Sequence, residues 1–258
     1  MYASIAFSQT ANSYFWNGLI KQKQQDYEGA IAEYSKAIEI NSLDTASYFN
    51  RALSKHYLND LRGAIADYTK VVEIYPKYAK AYQGRGNAKN DLQDHTGAIS
   101  DYNTAIEIDP KDAITYYNRG KVKQDLQDLR GAIADYNIAI QIEPEASKAY
   151  YNRGIAKQTL EDYREAIIDY NKAIEISPDY SDAFCNRAIA KGKLGDYRGA
   201  IADCNLAIEL NPKYAEAFYA RGIAKLALDQ KDEGCLDLSK AGELGLGRAY
   251  EVIRTHCN

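Results

Sequence analysis

The sequence predicts an all-α array built by copying one helix–turn–helix element along the chain. Three observations predict it. Arg51, Arg85, Arg119, Arg153, Arg187 and Arg221 stand 34 residues apart, and Pro76, Pro110, Pro144, Pro178 and Pro212, which are all the prolines, keep the same step. Ala30, Ala64, Ala98, Ala132, Ala166 and Ala200 share that step with no slippage. Within each copy the apolar residues recur at helical spacing.

With Ala11 as position 1, seven repeats fit: 11–44, 45–78, 79–112, 113–146, 147–180, 181–214 and 215–248. They leave a 1–10 N-terminal tail and a 249–258 C-terminal capping helix, and they predict one continuous array, because a single repeat cannot bury its apolar face alone.

The elements of the repeat running from Ser147 to Tyr180 show the logic. A first helix, A, carries Tyr150, Gly154 and Lys157 at i, i+4 and i+7. Leu160-Glu161-Asp162-Tyr163 interrupts the period and makes the turn. A second helix, B, carries Ala166, Ile167, Tyr170, Ala173, Ile174 and Ile176, and Pro178 stops it because its ring and missing N–H cannot continue a helix. Position 8 is small in every repeat: Gly18, Ala52, Gly86, Gly120, Gly154, Ala188 and Gly222. Glycine inside a helix costs about 1 kcal/mol relative to alanine. Its recurrence predicts a close approach of helix A to helix B, with the alanine at position 20 as the expected partner.

The pattern of an aromatic at 4, a small residue at 8, Ala at 20, an aromatic at 24, Ala at 27 and Pro at 32 resembles the tetratricopeptide repeat; here it reads Tyr150, Gly154, Ala166, Tyr170, Ala173 and Pro178. The resemblance spans about nine-tenths of the chain. It implies a right-handed superhelical solenoid of antiparallel helix pairs, with the A helices lining a concave groove. The wording Tyr-Tyr-Asn-Arg-Gly followed by Gly-Ala-Ile-Ala-Asp-Tyr-Asn is similar to that of cyanobacterial members of the family.

The end repeats depart from the pattern. Ser42 replaces Pro in the first, and the seventh has Leu246 for Pro, Gly234 at 20 and Leu238 at 24.

Composition bounds the function. The chain has 258 residues, 46% of them hydrophobic, enough for a sizeable core. With 32 Lys and Arg against 36 Asp and Glu, interspersed along the chain, a partner held by phosphate neutralisation is not expected, so no nucleic acid. No apolar run reaches about 18 residues, so no membrane insertion is expected. Met1 to Thr10 does not read as a signal peptide. Cys185, Cys204, Cys235 and Cys257 form no C-x-x-C pair; four reduced thiols in a cytoplasmic protein are the expectation, and a zinc site lacks its spacing. His56, His95 and His256 are scattered, and no nucleophile–base arrangement or phosphate loop can be assembled. The protein is therefore expected to be non-enzymatic, without cofactor or metal.

Three charged positions recur. Position 7 is Arg in six repeats, position 11 is Lys in all seven, from Lys21 to Lys225, and position 23 is Asp in six, with Glu33 in the repeat that lacks the Arg. A basic stripe for an acidic ligand and an internal A–B ion-pair ladder both fit. The matched stoichiometry favours the ladder.

The resemblance assigns the groove to positions 2, 5, 6, 9, 12 and 13. Position 6 gives Asn50, Asn118, Asn152 and Asn186, beside Phe49, Tyr117 and Tyr151 at position 5. An amide offers a donor and an acceptor, so this ladder suits the backbone of a bound peptide, with the rings packing its side chains. Asn87, Lys121 and Lys148 complete the candidate set. Asn87, Asn118 and Lys148 also approach the family's carboxylate clamp, but Gln83 and Asn152 stand where it needs cations. The expected partner is a protein or peptide bound by a monomer or weak homo-oligomer. The alternative is an assembly or self-association scaffold working through the convex face or the ends of the stack.

Overall fold

The computed structural model describes residues 2–257, with side chains from residue 10 onward. Every element is an α-helix. In order they are α1 Tyr2–Lys23, α2 Tyr27–Ile40, α3 Thr45–Tyr57, α4 Leu61–Ile74, α5 Ala79–Asp91, α6 His95–Ile108, α7 Ala113–Asp125 and α8 Leu129–Ile142. There follow α9 Ser147–Thr159, α10 Tyr163–Ile176, α11 Ser181–Lys193, α12 Tyr197–Leu210, α13 Ala215–Leu226, α14 Lys231–Glu243 and α15 Arg248–His256. Odd-numbered α1 to α13 are the A helices and even-numbered α2 to α14 the B helices. The chain forms two compact halves, 1–122 and 123–258, whose boundary falls within α7. Each is built from the same repeat.

The turn between A and B is set by position 15, which takes left-handed φ of 61° to 65° at Gln25, Asn59, Gln93, Gln127, Glu161 and Asp229, with Gly195 at 83° in the sixth repeat. The next residue is an aspartate in six repeats and Gln230 in the seventh. Asp26, Asp60, Asp94, Asp128 and Asp196 each accept from the N–H three residues on, satisfying an orphan donor of the B helix. That third residue is glycine, and a Cβ there would sit about 2.1 Å from the capping carboxylate at Gly63 and Gly131. At the far end Tyr75, Asp109, Glu143, Ser177 and Asn211 leave the helix at φ of −127° to −136°, the extended backbone that a following proline imposes. Asn41 adopts φ −129° ahead of Ser42, so the first repeat breaks in the same way without proline.

The cores are tyrosine and alanine. Tyr34, Tyr68, Tyr102, Tyr136 and Tyr170, at position 24, are fully buried beside Ala30, Ala64, Ala98, Ala132 and Ala166. These tyrosines correct the expected partner of the position 8 glycines. A Cβ on Gly18, Gly86 or Gly154 would meet the ring of Tyr34, Tyr102 or Tyr170 at 2.5–2.8 Å, not the alanine at position 20. The ring packs against helix A where the glycine leaves room. Gly222 faces both positions, its built Cβ 2.9 Å from the Gly234 carbonyl at position 20 and 2.9 Å from Leu238, which replaces the tyrosine at position 24.

The recurring charges form an internal ladder. Asp169 is 1% exposed and receives Arg153 Nε at 3.0 Å, Arg153 Nη2 at 2.5 Å and Lys157 Nζ at 2.8 Å. Arg51, Arg85, Arg187 and Arg221 hold Asp67, Asp101, Asp203 and Asp237 by the same fork, joined by Lys55, Lys89, Lys191 and Lys225. Each arginine also reaches back to the preceding B helix: Arg51 to Ser35, Arg85 to Thr69, Arg153 to Asn137, Arg187 to Asn171 and Arg221 to Asn205. Its guanidinium lies 5.3–5.4 Å from the ring at position 4 in these repeats, Tyr48, Tyr82, Tyr150, Phe184 or Phe218. One side chain thus ties an A helix to two B helices, an interaction suited to fixing register. In the first repeat Asn17 supplies no fork, and Glu33 pairs with Lys36 on its own helix.

Two features lie at the ends. The backbone of α1 is helical from Tyr2, ahead of the first repeat, so the segment expected as a tail continues that helix. At the other end Val252, Ile253 and Cys257 of the α15 segment pack on Leu238 and Ala241 of α14. This return corrects the expectation of four reduced thiols: Cys235 and Cys257 are joined by a disulfide, with Cα atoms 5.8 Å apart. Cys185 and Cys204 are free and buried. The spacing of 22 residues matched no pattern, because packing of α15 and not sequence separation brings the two together.

Candidate functional site

The candidate residues lie on the A helices, and each half holds its own set. In the N-terminal half, Asn87 and Asn118 meet. Asn118 Nδ2 donates to Asn87 Oδ1 at 3.1 Å, and the Tyr102 hydroxyl donates to the same oxygen at 2.7 Å. With Lys121, His56, Asn90 and Asp91 they line a polar cavity of about 230 Å³. His56 Nε2 lies 2.6 Å from Asp91 Oδ2, joining α3 to α5 across this cavity. Asn50 is elsewhere: its Nδ2 donates to the Ala46 carbonyl of its own helix at 2.9 Å. Phe49 is half-buried, wedged against Tyr68 and Tyr78 with centroids 5.6 and 5.2 Å away. Tyr117 is half-buried on α7.

In the C-terminal half, Asn186 Nδ2 donates to the Tyr151 hydroxyl at 2.8 Å, linking α11 to α9. Tyr151 packs on Tyr180 at 4.7 Å and on Tyr170 at 6.0 Å. Burial raises the pKa of its hydroxyl to about 12, so it stays neutral and can both donate and accept. Asn152 Nδ2 donates to the Lys148 carbonyl at 2.9 Å, and the Lys148 side chain is exposed.

Asn50 and Asn152 each donate to a carbonyl of their own helix, and Asn118 and Asn186 each reach the preceding A helix. Each of these bonds uses one N–H, and an amide carries two with a carbonyl oxygen besides. The aromatic row at position 5 is partly structural: Phe49 and Tyr151 fill the angle between neighbouring helix pairs.

Position 12 carries a signal that the sequence reading missed. Gln22, Gln124 and Gln158 accept from the buried hydroxyls of Tyr34, Tyr136 and Tyr170 at 2.7–3.0 Å. In the second repeat His56 takes that position and turns to Asp91. Tyr68 Oη is left buried with no hydrogen-bond partner among the described residues. In the sixth repeat both partners are truncated, to Gly192 and Cys204. A second cavity, of about 540 Å³, opens there between α11 and α13, lined by groove positions of these repeats but by none of the ten residues singled out as candidates. Aligning position 12 against position 24 repeat by repeat exposes both departures.

Tetratricopeptide-repeat profiles match residues 11–42, 45–78, 86–127, 113–145, 147–180 and 181–214. No curated protein matches the chain significantly. Among solved structures, a tetratricopeptide repeat protein from Parabacteroides merdae aligns over 97% of this chain and 100% of its own, with TM-score 0.70 and 22% identity. The C-terminal part of a repeat protein from Cytophaga hutchinsonii aligns over 92% and 98%, with TM-score 0.75 and 17% identity. YrrB, described as having an unusual peptide-binding site, aligns over 73% and 97%, with TM-score 0.63 and 24% identity. At these identities the likeness is one of fold.

Proposed function

The chain belongs to the tetratricopeptide-repeat family, a fold of interaction modules, and on that premise we propose that it binds a peptide segment of a partner protein along its A-helix faces. The observation that carries the proposal is the Asn87–Asn118–Lys121 cavity. Two amides held in fixed orientation by Tyr102 stand beside an exposed cation, in a concavity open to solvent. Such a set can pair with the N–H and C=O of a peptide backbone and leaves the partner's side chains to be sorted by the surroundings. Asn50 and Phe49 extend this face in the N-terminal half. Asn152, Asn186, Tyr151 and Lys148 form the corresponding face in the C-terminal half, and Tyr117 stands at the same position of its repeat. That YrrB is described by a peptide-binding site supports the reading.

The test is selection of a random 12-residue peptide library on the full chain, followed by titration of the recovered peptides. Asn87→Ala, Asn118→Ala and Lys121→Ala in the N-terminal half, and Asn186→Ala in the C-terminal half, are expected to weaken binding at least about tenfold for peptides seated on that face. Melting of each variant checks its fold. Peptides whose affinity ignores every A-helix change would overturn the proposal.

A further inference from the structure

We infer that the cavity between α11 and α13 is a specificity pocket for two bulky apolar side chains flanked by an acidic one, presented by a segment of another protein. The inference rests on the peptide-binding reading above and adds the chemistry of the ligand. It starts from the repeat itself. Elsewhere position 12 is filled by Gln22, His56, Asn90, Gln124, Gln158 or Leu226, and position 24 by tyrosine or, in the seventh repeat, Leu238. In the sixth repeat these become Gly192 and Cys204, and in the seventh, position 6 is Ala220, where five other repeats carry asparagine or tryptophan and the third carries Gly84. Side chains are thus removed on both sides of one gap, and a Cβ built on Gly192 meets nothing within 4 Å.

The volume that opens is about 540 Å³. A dry cavity of roughly 150 Å³ accommodates benzene, so this one has room for two large side chains and more. Its walls are mostly apolar, with Gly192, Ala220 and Ala224 leaving space between Ile189, Ile223 and the rings of Tyr197 and Tyr219. The charged residues that line it are both cations. Lys193 is exposed, and Arg248 stacks 4.5 Å from the centroid of the Tyr219 ring while pairing with Glu216. The lining is therefore matched to an apolar segment that carries a carboxylate side chain, and mismatched to a basic one.

The experiment selects a random 12-residue peptide library on the full chain after depletion on the Gly192→Gln chain. Glutamine restores the residue type of three other repeats and fills the gap without crowding the helix. The expected result is enrichment of peptides with two bulky apolar residues beside Asp or Glu. Their affinity should fall about tenfold or more in Gly192→Gln and in Ala220→Asn, the loss carried by one excluded side chain. Lys193→Glu should weaken them and favour versions with Lys in place of the acid. Unchanged melting in each variant separates filling from unfolding. Recovered peptides that are basic or polar, or that ignore Gly192→Gln but respond to Asn118→Ala, overturn this inference and leave the groove reading standing. Peptides that respond to no A-helix change overturn both, whereas no recovered peptide overturns this inference alone, because depletion on Gly192→Gln removes peptides held elsewhere in the groove.

Discussion

Replacing Asp169 with leucine puts the internal ladder to its sharpest test. The carboxylate is 1% exposed and faces two cations, Arg153 through a fork and Lys157 at 2.8 Å. Removing it leaves both cations partly buried with their main partner gone, a change that typically costs about 3–5 kcal/mol. For a chain of this size each kcal/mol moves the melting temperature by roughly 2–4 °C, so the drop should be roughly 6–20 °C. Arg153→Leu is expected to cost less from the charge alone, because Lys157 still neutralises Asp169. It also loses the bond to Asn137 and the stacking on Tyr150, together worth about 2–3 kcal/mol. The two changes combined should cost less than their sum by at least about 2 kcal/mol, since neither charge is then left facing an empty site. Lys157 remains stranded in that double variant, with only Glu165 at 3.8 Å. Adding Lys157→Met should therefore recover further stability. Urea unfolding followed by circular dichroism measures each corner of the cycle. Single costs that add to the double within about 0.5 kcal/mol would refute the ladder as a coupled unit.

Two glycines should answer alanine with opposite signs. Gly154→Ala puts a methyl 2.6 Å from the buried Tyr170 ring and should lower the melting point, overpacking of about 1–3 kcal/mol outweighing the helix gain. Gly192→Ala meets open space and should raise stability by about 0.5–1 kcal/mol in the same melts. Tyr68→Phe removes a buried hydroxyl without a partner and should stabilise by up to about 1 kcal/mol, whereas Tyr170→Phe, which breaks a bond to Gln158, should destabilise by about 1 kcal/mol in urea titration. Thiol labelling should find no reactive cysteine at pH 8 in the native chain, two after denaturation and four after reduction as well. Burial raises the Cys185 pKa to about 12 and that of Cys204 further still, so both stay neutral when folded. Since these folded values lie above the unfolded one near 8.5, their contribution to stability is full below about pH 8.5 and fades as pH rises toward 12. Four reactive thiols after denaturation without reductant would remove the disulfide.

The sequence by itself determined the repeat, its register, the paired helices and the matched occurrence of Arg, Lys and Asp in six of the seven copies. These are local or strictly periodic, and a fault repeated seven times is visible in one chain. Its helix ends were legible because proline, aspartate and glycine act on their own backbone. Only the tertiary structure decided what each periodic side chain touches. The position 8 glycines admit a tyrosine ring and not the alanine opposite, because ring orientation depends on three helices at once. Asn50 and Asn118 share a repeat position but not a partner, since Asn87 is within reach of only one of them. Cys235 and Cys257 meet because α15 turns back on α14. The cavity at Gly192 lies opposite Ala220 of the next repeat, and the two become neighbours only when the helices stack. Periodicity specifies the average repeat, and packing specifies the departures from it, where the chemistry of recognition resides.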